Sequence, residues 1–429
     1  MKFIIIILTL ALGFSNLSAQ QVPAKPQQKP MAITGGTAHI GNGEVVENAV
    51  IFFEKGKITG VMDGSTIRLD PEVTDIIDAS GKHIYPGLIA TNTNLGLSEV
   101  EALRQTRDFN ETGQMNPNVR ALIAYNTDSR VTPTVRSNGV LLAQIAPQGG
   151  RISGMSSVMQ LDGWNWEDAQ LLPDDGIFVT WPRMFTYSGW WAEPGGIKKS
   201  EKYDEQVSEL KDFFAEAKAY AEKNDPKPKN LKFEAMKRVF SKNRSVFIRA
   251  NYVKEIMAAV KFGQEFDVRV VIVGGNDAHL ATDLLNKHNV PVILGPLHDL
   301  PSNDDQAIDL PYRRAKLLQD AGVLYCLSLE GFWQQRNLPF QAGTAVAYGL
   351  TKEQALQAIT LNAAKILQLD GSVGTLEKGK DATLVISEGD LLDMRTSKVS
   401  HAFINGSEID LDNKQKALYR KFSEKYGHN

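Results

Sequence analysis

Cysteine is nearly absent from this chain, and no excess of basic residues is present. The single cysteine among 429 residues, Cys326, excludes an internal disulfide, and its apolar surroundings predict a small buried side chain. The 47 basic and 50 acidic residues give a net charge of −3. A nucleic-acid partner would call for a basic patch, so none is expected. The sequence also lacks the Gly-x-Ser-x-Gly elbow of serine hydrolases and a His-Glu-x-x-His zinc motif.

Long hydrophobic runs are also missing, apart from a short one at the N-terminus. Lys2 precedes an apolar run over residues 4–13, and small residues follow up to Ala19. The run is shorter than the roughly 20 residues of a membrane span, so we predict a cleaved signal peptide over residues 1–19. An uncleaved anchor is the alternative. Cleavage near Ala19 implies a secreted or periplasmic protein without stable membrane insertion, and residues 20–30, with three prolines, are predicted to be a linker.

The hydrophobic pattern changes along the chain. Over residues 31–85, short apolar stretches alternate with glycine-containing turns, which is typical of β-hairpins. Over residues 245–349, runs rich in β-branched residues alternate with helical patterns, which predicts four consecutive βα units. Such units belong to a barrel or a doubly wound sheet. Strands predicted over the whole region are 87–89, 139–145, 157–161, 176–180, 246–250, 269–275, 291–296 and 323–328, and their number favours the barrel.

Strand patterns return near the C-terminus. A capping box at Thr351 and Gln354 starts a helix, and strands follow at 379–386 and 400–406. We therefore predict an α/β fold in which a TIM-type (β/α)8 barrel, residues 86–370, carries a small β-sandwich domain formed by both chain ends. Residues 31–85 and 371–410 form that domain, and residues 411–429 form a tail.

Three segments carry a resemblance to a known family. They are the Pro-Gly-Leu-Ile motif at 86–89, residues 350–367 and residues 374–382, in that order. From about residue 33 to 409 the chain resembles the amidohydrolase superfamily, closest to its imidazolonepropionase-like branch. The resemblance implies a barrel-mouth metal site, with zinc or another divalent ion as the default, and hydrolysis of C–N bonds other than peptide bonds.

The chain departs from the family at the positions of the metal ligands. Family members carry a His-x-His pair after the first strand, histidines after the fifth and sixth, and an aspartate after the eighth. The corresponding residues here are Asn92 and Asn94, then Arg249 and Asn251, then Gly274 or Gly275, and finally Glu330. An amide oxygen is a weak zinc ligand and a guanidinium repels a cation. We therefore expect no metal and no other cofactor.

A polar pocket is predicted in place of the metal. In this hypothesis Arg249 occupies the volume of the ion and pairs with Glu330. Asn92, Asn94, Arg249 and Asn251 would then bind a small anionic or amide-bearing ligand. The alternative is that these side chains only fill an inactive pocket with hydrogen bonds.

Catalysis without a metal would need a base. Glu330 is one candidate, and His298 with Asp299 is another, because this pair follows the seventh strand and a carboxylate can orient a histidine. The remaining histidines are expected to be structural or exposed, and they are His39, His83, His279, His288, His401 and His428.

Three functions stay open at this stage. The first is an amidohydrolase-family protein that has lost the metal site, either a pseudoenzyme or a metal-independent variant. The second is a hydrolase with a rearranged site that uses Glu330, His298 or Asp299. The third is a non-catalytic ligand-binding protein or a partner subunit of an active amidohydrolase, and homo-oligomers are also possible. All three require the predicted pocket residues to converge.

Overall fold

The computed structural model describes residues 21–66, 69–190, 192–302 and 305–427. The predicted signal peptide, the first linker residue and His428 lie outside the described residues. The strands are β1 (Met31–His39), β2 (Val45–Glu54), β3 (Lys57–Asp63), β4 (Asp75–Asp78), β5 (His83–Pro86), β6 (Leu88–Thr93), β7 (Val140–Ile145), β8 (Ile152–Gln160), β9 (Gln170–Thr180), β10 (Phe185–Trp190), β11 (Glu193–Lys199), β12 (Ser245–Ala250), β13 (Val270–Gly274), β14 (Val292–Leu294), β15 (Tyr325–Leu327), β16 (Leu384–Ser387), β17 (Val399–Ile404) and β18 (Ser407–Glu408).

Helices lie mainly in the second half of the chain. They are α1 (Thr132–Arg136), α2 (Trp166–Ala169), α3 (Tyr203–Ala221), α4 (Leu231–Phe240), α5 (Val253–Phe266), α6 (Thr282–Lys287), α7 (Leu310–Asp320), α8 (Leu338–Ala347), α9 (Lys352–Gln357), α10 (Leu361–Ile366) and α11 (Lys414–Tyr426). Short 3-10 turns occur at Gly64–Thr66, Arg104–Thr106, Ala121–Ala124, Ala278–Leu280 and Trp333–Asn337. Within the described ranges, none of the helices combines the length and apolar character that a membrane span requires.

Both chain ends contribute to one sheet. Its strand order is β18-β17-β16-β5-β1-β2-β3, with β4 beside β1. The two halves meet where β16 runs antiparallel to β5, so that Val385 faces Tyr85. One continuous sheet accounts for these hydrogen bonds. The arrangement of its strands as a sandwich stays a prediction.

An eight-stranded sheet forms the centre of the molecule, in the order β15-β14-β13-β12-β9-β8-β7-β6. Each predicted barrel strand coincides with one of these strands. Seven of them follow the parallel pattern, but β8 runs antiparallel to both β7 and β9. Only residues 146–151 separate β7 from β8, and a parallel crossover needs about a dozen residues or more. The chain therefore reverses, and the regular (β/α)8 repeat does not hold at β8.

The sheet closes almost completely. Among the described strands, no hydrogen-bonded ladder joins β6 to β15. The segment before α10 fills the gap, since Ile89 N donates to Ile359 O at 2.9 Å and Leu327 N donates to Ala358 O at 3.0 Å. Across the gap, Ser328 Oγ donates to Thr91 O at 2.8 Å.

Every strand of the barrel sends a buried apolar side chain into one cluster. Phe178 and Phe247 stack at its centre with ring centroids 4.9 Å apart. The cluster members, one from each strand, are Ile89, Leu142, Val158, Phe178, Phe247, Val271, Ile293 and Cys326. Cys326 is a free, buried thiol, as predicted, and burial raises its pKa to about 12. The interior of the barrel is thus a packed core that supports the mouth above it.

Candidate functional site

Arg249 lies at the end of β12 and points into the barrel mouth. Its guanidinium donates to Pro147 O at 2.9 Å and to Asn92 Oδ1 at 3.3 Å, and it lies 4.5 Å from the centroid of the Phe178 ring. Burial lowers the pKa of Arg249 to about 10, and the negative charge of Glu330 partly offsets this effect. The guanidinium therefore remains a cation at neutral pH, fixed by a carbonyl, an amide and an aromatic face.

The predicted contact between Arg249 and Glu330 is wrong. Among the described ion pairs, which reach out to 4.0 Å, none joins these two residues. Pro147 O and Asn92 hold the guanidinium near β6 and β7, whereas the exposed Glu330 lies on the loop after β15. The two charges interact only at longer range, across a cavity that both side chains line.

Asn92 adopts an unusual backbone conformation. Its φ is 51°, in the left-handed region that asparagine tolerates better than most residues. In this conformation the backbone N–H of Asn92 donates to Gln144 Oε1 at 3.1 Å, while the side-chain oxygen of Asn92 accepts from Arg249. Gln144, buried in β7, also donates through Nε2 to Asp175 Oδ2 at 2.6 Å. A chain of hydrogen bonds, buried at Asp175 and Gln144 and partly buried at Asn92, thus connects Asp175 to Arg249.

Asp175 is a buried acid inside the barrel. Burial raises its pKa to about 6, although hydrogen bonds from Ser156 and Gln144 act in the opposite direction. Its Oδ1 atom has no hydrogen-bond partner among the described residues. The polar Gln144 within an otherwise apolar strand was the one sequence signal that could have pointed to this group, and our sequence analysis missed it.

Asn251 packs against a glycine that has no room for a side chain. Gly274 has φ +94°, and a Cβ atom there would lie 2.3 Å from Asn251 Oδ1. The glycine at the end of β13 therefore lets Asn251 reach the mouth. Its neighbour Gly275 has φ +63° and turns the chain toward the next helix.

Four of the predicted residues line one cavity of about 240 Å³. These are Asn92, Arg249, Asn251 and Glu330. The cavity lies at the ends of β9, β12, β13 and β14, and Thr180 and Ser328 also line it. The structure thus brings together residues far apart in sequence, while their roles stay predictions.

Asn94 lies outside this cavity. It is buried and lines an adjoining cavity of about 350 Å³, together with Ser98 and Trp333. Gln148 and Glu330 line both cavities. The two asparagines at the end of the first barrel strand therefore line different cavities, with Asn92 on one side of Glu330 and Asn94 on the other.

The loop that carries Glu330 is held firmly. Gln335 Nε2 donates to Leu329 O at 2.7 Å and to Gly331 O at 2.8 Å, and Thr93 Oγ1 also donates to Gly331 O at 2.8 Å. These bonds fix the backbone on both sides of Glu330. Its carboxylate is exposed at the junction of the two cavities.

His298 and Asp299 lie elsewhere. His298 Nε2 is 2.6 Å from Thr344 Oγ1 and lines a separate cavity of about 430 Å³ beside α8. The backbone after β14 is pulled toward α8 because Leu297 N donates to Gln341 Oε1 at 2.7 Å. Asp299 is exposed, and its side chain accepts from Leu300 N rather than from His298. The prediction that this pair joins the barrel-mouth site is wrong.

The residues of the barrel mouth do not fit the divalent ion that the family resemblance implies. Arg249 brings a fixed positive charge, and its partner Asn92 uses its amide oxygen to accept from it. Glu330 is the one carboxylate among the residues that line the cavity. Within the described part of the chain, no three His, Cys, Asp or Glu side chains are grouped so as to hold a metal. A catalytic zinc normally uses three protein ligands of these types.

Comparisons with known proteins agree with the resemblance. The model of the amidohydrolase family matches residues 255–410. An imidazolonepropionase from Thermoplasma volcanium is 24% identical over 382 residues, which cover 83% of this chain and 89% of that protein. Another, from Picrophilus torridus, is 40% identical over 79 residues, which cover 17% of this chain and 20% of that protein.

Solved structures show the same fold. An amidohydrolase from Thermotoga maritima has 24% identity and a TM-score of 0.75, and the match covers 89% of this chain and 99% of that one. An adenosine deaminase from Xanthomonas campestris with bound zinc has 13% identity and a TM-score of 0.54, over 93% of this chain and 98% of that one. At these identities the structural likeness shows the fold alone.

Proposed function

We propose that this amidohydrolase-family chain, with imidazolonepropionases among its homologues, hydrolyses a C–N bond other than a peptide bond and does so without a metal. The carrying observation is the fixed guanidinium of Arg249. It borders a cavity of about 240 Å³ and has no carboxylate in contact among the described residues. A cation placed in this way favours an anion or a polarised carbonyl oxygen beside it.

Arg249 supplies the electrostatic part of the reaction. An amide carbonyl that enters the cavity places its oxygen at the guanidinium, and the interaction strengthens as negative charge develops on that oxygen. Asn92 keeps the guanidinium oriented through its Oδ1 contact at 3.3 Å. Asn251, which directly follows β12, offers an amide group to the same ligand.

Glu330 supplies the proton transfer. Its exposed carboxylate takes a proton from water while the water oxygen attacks the carbonyl carbon. When the C–N bond breaks, the same proton passes from Glu330 to the leaving nitrogen. Amide and water thus yield a carboxylic acid and an amine, with no other reactant.

Loss of the family metal is part of this proposal. Its support is the chemistry of the donors, since Arg249 and three asparagines, Asn92, Asn94 and Asn251, stand where the resemblance expects metal ligands. Stoichiometric zinc or iron in purified protein, or activity that returns only when a metal is added, would contradict it. Metal analysis of protein purified with and without a chelator makes this measurement.

Turnover by variants tests the catalytic roles. The substrates are a panel of hydantoins, lactams, imidazolones and simple N-acyl amines, and the readout is the released product after chelation. Arg249→Met and Glu330→Gln are each expected to lower turnover by about a hundredfold or more, as loss of a key electrostatic or acid–base group does. The exposed surface residues Arg420 and Glu408 provide matched controls, Arg420→Met and Glu408→Gln, which should retain full activity.

Binding without turnover in the wild type would overturn the catalytic part of the proposal and leave a ligand-binding pseudoenzyme. Absence of both would favour the third function, a partner subunit of an active amidohydrolase or a homo-oligomer. The secreted or periplasmic location also remains our proposal. N-terminal sequencing of protein from the envelope, with cleavage expected near Ala19, is its test.

A further inference from the structure

We infer that Asp175, which does not line the cavity, positions the guanidinium of Arg249 through a chain of hydrogen bonds. The links of this chain are Gln144 and Asn92. The role rests on the proposed function, in which that guanidinium meets the carbonyl oxygen of the substrate. Asp175 is therefore a positioning residue, because it lies outside the cavity that the substrate enters.

The first link fixes the side-chain amide of Gln144 in one orientation. An ionised carboxylate only accepts hydrogen bonds, so the atom of Gln144 that faces Asp175 must be the Nε2 donor, at 2.6 Å. The Oε1 atom of the same amide then faces Asn92. Gln144 is fully buried and Asp175 is 3% exposed, so bulk water does not compete for these groups.

The second link holds the backbone of Asn92. Its N–H donates to Gln144 Oε1 at 3.1 Å, at a φ of 51° that a residue with a Cβ atom keeps only where its surroundings hold it. The Oδ1 atom of Asn92 accepts from Arg249 Nη2 at 3.3 Å. If the Gln144 amide turned over, its NH2 group would meet the N–H of Asn92, and two donors cannot form a hydrogen bond. The orientation of that amide therefore decides whether Asn92 can hold the guanidinium.

Stability does not explain an acid at position 175. Burial raises the pKa of Asp175 to about 6, and its Oδ1 atom has no hydrogen-bond partner among the described residues. The cations that act on it are Arg244 and Arg269, which precede β12 and β13, and neither forms an ion pair with it within 4.0 Å. A buried acid that costs stability and is hydrogen-bonded toward a site is expected to serve that site.

Protonation of Asp175 removes the constraint on Gln144, because a protonated carboxyl donates as well as accepts. Arg244 and Arg269 keep their charges between pH 5 and pH 7.5, so Asp175 is the group of this cluster that titrates. The guanidinium should therefore be well ordered above about pH 6 and less ordered below it. Asp175→Asn reproduces the low-pH state at all pH values, since an amide also donates and accepts.

Hydrogen exchange of the Arg249 guanidinium measures this ordering without any ligand. The full chain is labelled with ¹⁵N-arginine, and the signal is assigned by its absence from Arg249→Met. At pH 7.5 we expect exchange to be about tenfold faster in Asp175→Asn than in the wild type, as the loss of one hydrogen bond allows. At pH 5 the two rates should be equal, because Asp175 is then mostly protonated. The variant loses a buried charge, so a weaker fold would not account for faster exchange.

Gln144→Met separates an effect through hydrogen bonds from a direct effect of charge. It should accelerate exchange as much as Asp175→Asn does, and the double variant should show no further increase. Asp108→Asn, at an exposed position, is the control that should change nothing. Equal rates in the wild type and Asp175→Asn at pH 7.5, a difference that persists at pH 5, or additive effects in the double variant would overturn the inference.

Binding of 2-pyrrolidinone, an uncharged lactam, keeps this inference distinct from the proposed function. By calorimetry, Arg249→Met should weaken binding at both pH values, whereas Asp175→Asn should weaken it at pH 7.5 and not at pH 5. No binding by the wild type, or unchanged affinity in Arg249→Met, would contradict the proposed function. Weaker binding in Arg249→Met together with unchanged affinity in Asp175→Asn would overturn the positioning role alone.

Discussion

The guanidinium of Arg249 contacts a backbone carbonyl, an amide oxygen and the face of the Phe178 ring, and it contacts no carboxylate among the described residues. These contacts orient the guanidinium without neutralising it. A carboxylate in contact would have neutralised the positive charge, and little of that charge would have remained to attract a ligand. The separation of Arg249 from Glu330 therefore preserves two distinct chemical groups in one cavity.

Asp175 is expected to make stability depend on pH. Its pKa of about 6 in the folded protein lies above the unfolded value. Ionisation at neutral pH then opposes folding, and the penalty develops as pH rises from about 4 to about 6. Asp175→Asn should therefore stabilise the protein by roughly 2–3 kcal/mol at pH 7 and by little at pH 4.

Denaturant unfolding at the two pH values measures this difference. Asp108→Asn is the control, because Asp108 is exposed. An equal effect of Asp175→Asn at pH 4 and pH 7 would contradict the explanation from burial.

Gly274 allows a test of whether the space it leaves for Asn251 matters for ligand binding. Gly274→Ala and Gly322→Ala both place a side chain at positive φ, 94° and 70°, and each should cost about 1–3 kcal/mol of stability from backbone strain. Only at Gly274 does the new Cβ meet Asn251, at 2.3 Å, since nothing lies within 4 Å of the other. Ligand affinity should fall more than tenfold in Gly274→Ala alone, and an equal loss in both would exclude a local effect on Asn251.

Among the elements, helix α9 shows how much short-range sequence can specify. Its predicted capping box is present, because Gln354 N donates to Thr351 Oγ1 at 3.1 Å and Thr351 N donates to Gln354 Oε1 at 2.9 Å. Thr351→Ala should cost about 1 kcal/mol in the free energy of unfolding. Urea unfolding measures it, and Thr351→Ser, which keeps the hydroxyl, should restore most of the loss.

Strand β8 shows the opposite case. Its apolar residues predict a strand, but the hydrophobic pattern of a strand does not show whether it runs parallel or antiparallel to its neighbours. The short connection over residues 146–151 reverses the chain and places Ser156 opposite Gly176. The sequence pattern placed the start of this strand at residue 157, whereas the structure starts it at Ile152, and only the observed start shows how short the connection after β7 is.

At the scale of the whole molecule, histidines join the small sheet to the barrel. His39 Nδ1 lies 2.7 Å from Glu353 Oε1 on α9, and His39 Nε2 lies 3.1 Å from His83 Nδ1. Tyr85 stacks on His39 with centroids 4.5 Å apart. Burial and the neighbouring His39 lower the pKa of His83. Folding therefore favours the neutral form of His83.

Low pH should weaken the contact between the small sheet and the barrel. Since the folded pKa of His83 lies below its unfolded value, the stability it contributes is present above about pH 6.5 and is lost as pH falls through the lowered pKa. His83→Gln should therefore lose less thermal stability than the wild type between pH 7.5 and pH 5. Calorimetry at both pH values provides the measurement. The control is His288→Gln, at a half-buried histidine that follows α6, and identical losses in both variants would contradict the prediction.

The sequence by itself determined the parts that depend on local pattern and on strand ends. It predicted the positions of the barrel strands, the buried Cys326 and the convergence of Asn92, Arg249, Asn251 and Glu330, because parallel strands bring their carboxyl ends to one mouth. Only the tertiary structure decided the direction of β8, the hydrogen bonds of Gln144 and the placement of His298 beside α8. Those features depend on contacts between distant segments, and hydrophobic periodicity carries no information about which distant polar groups will meet.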